Sequence, residues 1–313
     1  MITHELISNN IPHNSTIIVG FSGGPDSVCL LLFLNSLKTS RNLTLIAAHL
    51  DHQWRPESAQ DEAWCMQFCK ELNITFVSKK LSDLDFIAKF NGSKEEMARN
   101  ARRYFFEQCV QTFQANHIAL AHHQDDQIET FFIRLARGSS VAGLGSMRMH
   151  DGLYLRPLLH IKKQEILDYL ACNNVQFLND YTNSDTSFLR NRIRKNLTPM
   201  LDSIDTRLHD NIISCIDHMQ NTDDFLKQVT TQTLDSLKTA HGIDCQQFLN
   251  LHAVLQHRIL LNLIIENKTV CNPSTALFHE IIRFLRSSKH NQHQINPTLT
   301  IVKSKSSFSF KPL

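Results

Sequence analysis

Short apolar runs and amphipathic segments alternate along the first two thirds of the chain. Runs rich in apolar and β-branched residues predict strands at 16–21, 43–49, 74–78 and 117–121. Apolar residues spaced three and four apart predict helices at 26–37, 57–72, 93–113 and 124–137. Strands that alternate with helices favour an α/β fold with a doubly wound, mainly parallel sheet. Ligands of such sheets bind at the carboxyl ends of the strands.

The pattern changes near residue 200. Helical spacing without strand signals covers 207–238, and two further helices are predicted at 244–266 and 274–285. Two alternating runs, 299–303 and 307–311, predict a terminal hairpin. We therefore predict an α/β domain over residues 1–200, a helical connector over 201–240, and a small, mostly helical C-terminal domain with a hairpin over 241–313.

Composition narrows the class of protein. Apolar residues make up 42% of the 313 residues and charged residues 20%, which suits a protein with a core and a soluble surface. The apolar stretch 28–34 is far shorter than a membrane span of about 20 residues, and residues 1–11 lack a signal-peptide pattern. Eight scattered cysteines form no Cys-x-x-Cys pair. We therefore expect a cytoplasmic protein without a membrane contact.

The net charge of +2 conceals an uneven distribution. Residues 251–313 hold eight basic and two acidic side chains, net +6, whereas residues 201–250 hold three basic and eight acidic, net −5. Further basic runs lie at 130–163 and 186–200. Local basic patches favour a polyanionic partner, although each run can also be a solvated helix face.

A glycine-containing loop follows the first predicted strand and opens the first helix. Its residues are Ser22, Gly23, Gly24, Pro25, Asp26 and Ser27. Backbone N–H groups of such a loop and the helix N-terminus form an anion site, which predicts a bound phosphate. A carboxylate at Asp26 would repel that phosphate, so we expect Mg²⁺ to bridge the two.

A polar face is predicted just after the fourth strand. His122, Asp126 and Glu129 stand at i, i+4 and i+7, which on a helix places them on one face. Two carboxylates suit an ammonium group, such as that of lysine, and the same three residue types can bind a metal. Both ligand classes stay open at this point. Arg190 and Arg194, four residues apart, fall on one helical face and suit a phosphate group, although they can also be solvated helix charges.

Several segments together resemble one known family. The loop matches the Ser-Gly-Gly-x-Asp-Ser signature of the N-type ATP pyrophosphatases (the PP-loop superfamily). Between about residues 17 and 200, further segments resemble those of the tRNA(Ile) lysidine synthetases and occur in the same order as in that family. The segments that carry this resemblance are His49–Ser58, Glu95–Arg102, Ala121–Thr130, Arg137–Ser140, Arg156–Leu159, Asp180 with Asn183 and Asp185, and Arg190–Arg194.

The resemblance implies a ligase that modifies the anticodon wobble cytidine of an isoleucine tRNA with a CAU anticodon. ATP first adenylates the base at the C2 oxygen and releases pyrophosphate, and the side-chain amine of free L-lysine then displaces AMP. It implies that Arg102 contacts the α-phosphate or the developing negative charge. In such an enzyme Asp26 would hold Mg²⁺, Asp126 and Glu129 would bind lysine, and Arg190 and Arg194 would contact phosphate or tRNA. His122 or Asp126 accepts the proton of the amine. The chain resembles the shorter members with one C-terminal domain, and a homodimer is compatible with it.

Two alternatives and one departure accompany this interpretation. A cytidine thiolase of the same superfamily would share the phosphate loop but often carries cysteine pairs, which are lacking here. A non-catalytic RNA-binding module would have no need of Asp26, Asp126 and Glu129. The departure is Arg103, which stands where the family usually has tyrosine.

Overall fold

The computed structural model describes residues 8, 10–54, 58–85, 94–178, 189–267, 274–289 and 291–312, without the side chains of Lys94, Glu95 and Asp202. The chain divides into two compact units, Met1–His218 and Met219–Leu313. The predicted three-part division stays a prediction. Residues 55–57, the predicted helix start at 93 and the motif at 180–185 lie outside the described residues.

The first unit is built on a six-stranded sheet. Its strands are β1 Ser15–Gly20, β2 Leu43–Asp51, β3 Thr75–Lys80, β4 His117–Ala119, β5 His150–Asp151 and β6 Tyr154–Leu155. Their spatial order is β3-β2-β1-β4-β6-β5, and only the β5–β6 pair is antiparallel. The predicted doubly wound, mainly parallel sheet is confirmed. Strands β5 and β6 were not predicted because two residues carry no periodic pattern.

Helices connect these strands close to the predicted positions. They are α1 Pro25–Ser36, α2 Ser58–Glu71, α3 Lys94–Phe113, α4 Gln124–Ala136, the single turn α5 Val141–Leu144, and α6 Lys163–Cys172. After them come α7 Leu189–Arg192, a π-helical turn Ile193–Leu197, α8 Thr198–Ile204 and the long α9 Leu208–Leu237. None of the helices in the described part of the chain is long and apolar enough to cross a membrane.

The sheet is buried on both faces because successive side chains of a strand point to opposite sides. Ile17 and Val19 enter a core that also contains α1, α2 and α6 residues, whereas Ile18 enters a second core with Phe105 and Phe106 of α3. Each fully buried aliphatic side chain stabilises the fold by about 1.5–3 kcal/mol. Both cores together hold the carboxyl edge of the sheet in place, where α1 and α4 begin.

The second unit combines helices with a five-stranded antiparallel sheet. Its elements are β7 Lys238–Thr239, β8 Gly242–Asp244, α10 Cys245–Leu249, α11 Ala253–Glu266, α12 Thr275–Arg286, β9 Gln292–Asn296, β10 Leu299–Lys303 and β11 Ser307–Pro312. The strand order is β7-β8-β11-β10-β9. The predicted hairpin is confirmed as β10–β11. Strands β7, β8 and β9 were not predicted, and the predicted helix 244–266 is two helices separated at 250–252.

Candidate active site

The loop between β1 and α1 has the shape that its glycines allow. Gly23 has a φ of +79°, and a Cβ there would lie 2.6 Å from Cδ1 of Leu178, so another residue would be strained and crowded. Leu178 also donates its N–H to the Gly23 carbonyl at 2.9 Å. A Cβ on Gly24 would meet only the Ser22 Oγ, at 3.6 Å. The loop is therefore closed behind Gly23 and open beside Gly24, as a phosphate cradle requires.

The two serines of the loop fasten it to the first turn of α1. Ser22 donates its N–H to the Ser27 Oγ at 3.2 Å, and the Ser27 hydroxyl donates to the Gly24 carbonyl at 2.9 Å. Pro25 is the first residue of α1, where its missing N–H is no loss. These contacts leave the start of α1 directed at the open side of the loop.

Asp26 lies at this opening and is paired with a lysine from a distant part of the chain. Its carboxylate accepts a hydrogen bond from the Nζ of Lys163, the first residue of α6, and both side chains are 30% exposed. His123 Nε2 lies 3.8 Å from the other carboxylate oxygen. Sequence reasoning missed Lys163, whose only signal was its place in the basic run 130–163.

One carboxylate beside an open loop fits Mg²⁺, which binds proteins through one or two carboxylates together with phosphate oxygens and water. No group of three or more His, Cys, Asp or Glu that could hold a metal occurs among the described residues. The alternative of a metal at His122, Asp126 and Glu129 therefore has no support in the described geometry.

The segment after β4 differs from the prediction in one respect. Helix α4 begins at Gln124, so His122 precedes the helix and does not share its face with Asp126 and Glu129. The reason is the cap. His123 has extended backbone, and its N–H donates to the Asp126 Oδ2 at 3.0 Å, which starts the helix after it. The i, i+4, i+7 argument for His122 was wrong on this point.

His122 is held in its neutral form. Burial disfavours the imidazolium, and the arginines Arg190, Arg156 and Arg99 add to this effect, so the pKa of His122 is lowered to about 3 although Asp126 opposes the shift. Its Nδ1 is buried without a hydrogen-bond partner among the described residues. A neutral imidazole is a proton acceptor rather than a donor at neutral pH.

Asp126 and Glu129, which sequence reasoning assigned to lysine, are brought together with Arg190 and Arg194. Arg190 donates from Nη2 to Asp126 Oδ1 at 2.7 Å and from Nε to Glu129 Oε2 at 2.7 Å. Arg194 donates from Nε and Nη2 to the two Glu129 oxygens at 2.5 and 3.1 Å. We name these four residues the arginine–carboxylate cluster. All four contacts are charge-assisted, and the Arg194–Glu129 pair is also bidentate, which is the strongest class of side-chain hydrogen bond.

The arginine–carboxylate cluster is electrically balanced, and its two carboxylates are buried. The Glu129 side chain is only 1% exposed. Burial alone would raise the pKa of Asp126, but His123, Arg190 and the His123 amide lower it to about 2. Both carboxylates therefore have cationic partners before any substrate binds. The roles assigned to these four residues stay predictions.

Arg102 lies on the exposed side of α3, beside the segment that follows β2. Its Nη2 donates to Nε2 of His52 at 3.3 Å. Its neighbour Arg103, the departure from the family pattern, donates from Nε to the Tyr154 hydroxyl at 3.3 Å and lies over that ring at 5.3 Å. Tyr154 is in β6, so Arg103 packs α3 against the sheet, which gives this position a structural role.

Comparisons with known proteins agree with this architecture. The profile of the PP-loop domain family matches residues 2–201. The chain is 34% identical to the tRNA(Ile)-lysidine synthase of Bacillus subtilis over 87% of this chain and 59% of that protein. It is 29% identical to the tRNA(Ile)-lysidine synthase of Bacillus cereus over 98% of this chain and 67% of that protein. The chain thus spans about three fifths to two thirds of the length of these relatives.

Solved structures share the fold, for example the U34-tRNA thiolase NcsA from Methanococcus maripaludis with its [4Fe-4S] cluster, at a TM-score of 0.58. The superposition covers 69% of this chain and 77% of that chain, at 18% sequence identity. An identity this low indicates a shared fold alone.

Proposed function

The chain belongs to the PP-loop domain family, and from this premise we propose that it is an ATP-dependent ligase that joins lysine to an isoleucine tRNA. The reaction converts the wobble cytidine of a CAU anticodon to lysidine. The observation that carries the proposal is similarity to proteins named tRNA(Ile)-lysidine synthase along 87% to 98% of the chain, beyond the end of the PP-loop domain at 201.

In the first step, the C2 oxygen of the cytosine attacks the α-phosphorus of ATP and pyrophosphate leaves. The loop 22–27 binds the leaving phosphates through backbone N–H groups and the start of α1. Asp26 would hold Mg²⁺, which neutralises phosphate charge when bound. Lys163, already at Asp26, supplies a second positive charge at the same opening. Fixed charges of this kind stabilise the transition state because they need no rearrangement when the negative charge develops.

In the second step, the amine of lysine attacks C2 of the adenylated base and AMP leaves. The ammonium has a pKa of about 10.4 in water, so it must lose a proton first. Asp126 and Glu129 bind the ammonium, and Asp126 accepts the proton. Because two guanidiniums already pair with these carboxylates, one must withdraw when lysine binds. Arg194 is the more exposed of the two, so it leaves and then contacts an RNA phosphate.

The thiolase alternative has less support from the described cysteines. Iron–sulfur clusters are bound by cysteine thiolates. Burial raises the pKa of Cys29 and Cys69 to about 12, and Cys65, Cys109 and Cys245 are buried as well. Such thiols stay protonated and pack as small apolar groups.

The test is an assay of the two leaving groups. With ATP, Mg²⁺, L-lysine and CAU-anticodon isoleucine tRNA, we expect pyrophosphate, AMP and lysidine in equal amounts. Omission of lysine should leave pyrophosphate release at no more than one equivalent per enzyme, since the adenylated base then accumulates. If pyrophosphate forms without tRNA, or if sulfide replaces lysine as the nucleophile, the proposal is wrong.

A further inference from the structure

An aromatic side chain stands exposed at the carboxyl edge of the sheet, in the segment after β2. Trp54 is 47% exposed although it is among the largest apolar side chains of the unit. One face of its ring is covered by His52, with ring centroids 5.0 Å apart and planes inclined by 28°. His52 covers one face of the Trp54 ring, so the opposite face of that ring is a flat apolar surface.

His52 is held in one neutral tautomer by Arg102. A guanidinium only donates hydrogen bonds, so His52 Nε2 accepts from the Arg102 Nη2 at 3.3 Å and its proton lies on Nδ1. Burial and the charge of Arg102 lower the pKa of His52 to about 4. The His52 Nδ1 is buried and lacks a hydrogen-bond partner in the part of the chain that the structure describes. The imidazole therefore supports Trp54 as a flat, uncharged ring. We name Trp54, His52 and Arg102 the stacking row.

The stacking row lies next to the phosphate loop. Strands β1 and β2 are parallel neighbours, with Gly20 paired to Ala48, so their following segments emerge side by side. His49, near the end of β2, contacts the Phe21 carbonyl at the start of the loop through Nδ1, at 2.9 Å. The segment that carries Trp54 and the loop that carries Asp26 thus share one edge of the sheet.

We propose that Trp54 stacks on the pyrimidine base that is modified and positions it against the α-phosphate. The inference rests on the proposed function, in which the cytosine C2 oxygen must approach the α-phosphorus to about 3–3.5 Å. Arg102, the residue assigned to that phosphate, bonds the edge of the His52 ring, whereas Trp54 stacks on its face. A phosphate held by Arg102 and a base stacked on Trp54 would therefore belong to the same group of three side chains. Stacking supplies orientation but little sequence discrimination, since every base has a π-face.

A fluorescence titration tests the stacking directly. The chain has two tryptophans, and the second, Trp64, stacks on Phe68 in α2. In a Trp64→Phe protein, Trp54 is the only indole reporter. We expect an anticodon stem-loop RNA with the CAU anticodon to quench its emission, and the same RNA with an abasic wobble nucleotide to bind with little quenching. Equal quenching by both RNAs, or quenching by ATP and Mg²⁺ alone, would overturn the proposal, the latter in favour of the adenine ring.

Kinetics then separates positioning from folding. Trp54→Leu should raise the KM for tRNA about tenfold, the size of one base–aromatic stack. The KM values for ATP and lysine should change by less than about twofold, because neither contacts the ring. In Trp54→Phe, the KM for tRNA should stay close to the wild-type value. Met66→Ala, which shortens an exposed apolar side chain of α2, serves as the matched control.

The outcomes distinguish the two proposals. If wild-type protein forms lysidine and Trp54→Leu does so with an unchanged KM for tRNA, the stacking assignment is wrong and the proposed function stands. If wild-type protein forms no lysidine, the proposed function is wrong. The stacking assignment then fails as well if the CAU and abasic RNAs quench Trp54 equally.

Discussion

Two acidic sites in the first unit solve the same electrostatic problem differently. Asp26 is 30% exposed, has Lys163 as its cationic partner, and lies at an open loop. Glu129 is 1% exposed and accepts hydrogen bonds from both Arg190 and Arg194. The first carboxylate can exchange one cation for another at small cost, since water solvates it during the exchange. At the second carboxylate the exchange costs more, because a buried carboxylate is strongly disfavoured while it lacks a partner.

This difference in burial suggests that Asp26 contributes to turnover and that Glu129 contributes to stability. Asp26 is suited to a cation that arrives and leaves with each nucleotide. The arginine–carboxylate cluster ties α4 to the segment at 190–194 and has to be rearranged before it can bind an ammonium group. A variant at Asp26 should therefore affect turnover, whereas a variant at Glu129 should affect stability first.

The largest effect is expected for Asp26→Asn. Loss of the carboxylate that would hold Mg²⁺ should lower the rate of adenylation about 10²- to 10³-fold, the range found when one transition-state contact is removed. The free energy of unfolding should fall by less than about 1 kcal/mol, since the pair with Lys163 is partly exposed. Pyrophosphate release and urea denaturation measure the two quantities. The matched control is Asp125→Asn, and near-normal adenylation by Asp26→Asn at limiting Mg²⁺ would exclude the metal role.

Glu129→Ala should lower the free energy of unfolding far more than Asp26→Asn does. It leaves two guanidiniums without their shared partner, and we expect a loss of about 3 kcal/mol in the free energy of unfolding. Asp235→Ala is the control: Asp235 pairs with Lys238 at 2.8 Å and both side chains are exposed, so its removal should cost below about 1 kcal/mol. Equal losses for the two variants would show that burial does not distinguish the sites.

The pH dependence of stability should also report on the buried region. His122 has a folded-state pKa of about 3 against an ordinary value of 6.5, so between these values the unfolded chain binds a proton that the folded chain does not. Stability should therefore fall with decreasing pH over this window, by about 1 kcal/mol per pH unit. Asp126, with its pKa lowered to about 2, should add a further loss below about pH 4. His122→Gln should flatten the slope between pH 6 and 4, and an unchanged slope would contradict the assignment.

The smallest effect is expected for Arg194→Ala. The Arg194 side chain is 42% exposed, and Glu129 keeps Arg190 as a partner. We expect a loss of about 1 kcal/mol in the free energy of unfolding. A double-mutant cycle with Glu129→Ala measures the coupling energy of the pair. A coupling of zero would mean that Arg194 contributes nothing to the cluster and that its withdrawal needs no compensation.

The first part of the site could be predicted because it is local. A β-branched run, six loop residues and an apolar helix are contiguous in the chain, so their pattern predicted β1, the phosphate loop and α1 together. The position of His122 was predicted less well. The predicted helix began at 124, as α4 does, but the i, i+4 spacing was extended back to His122, which precedes it. The hydrogen bond from His123 N–H to Asp126 fixes the start of the helix after His123.

The amino-acid sequence by itself determined the alternation of strands and helices, the glycine loop and the chemical nature of the candidate residues, because each depends on neighbours within a few positions. Only the tertiary structure decided which charges meet. Lys163 reaches Asp26 across 137 residues, and Arg190 reaches Glu129 across 61. No periodic pattern extends over such separations. The pairings follow instead from the order of strands in the sheet and from the burial that makes an unpaired charge costly.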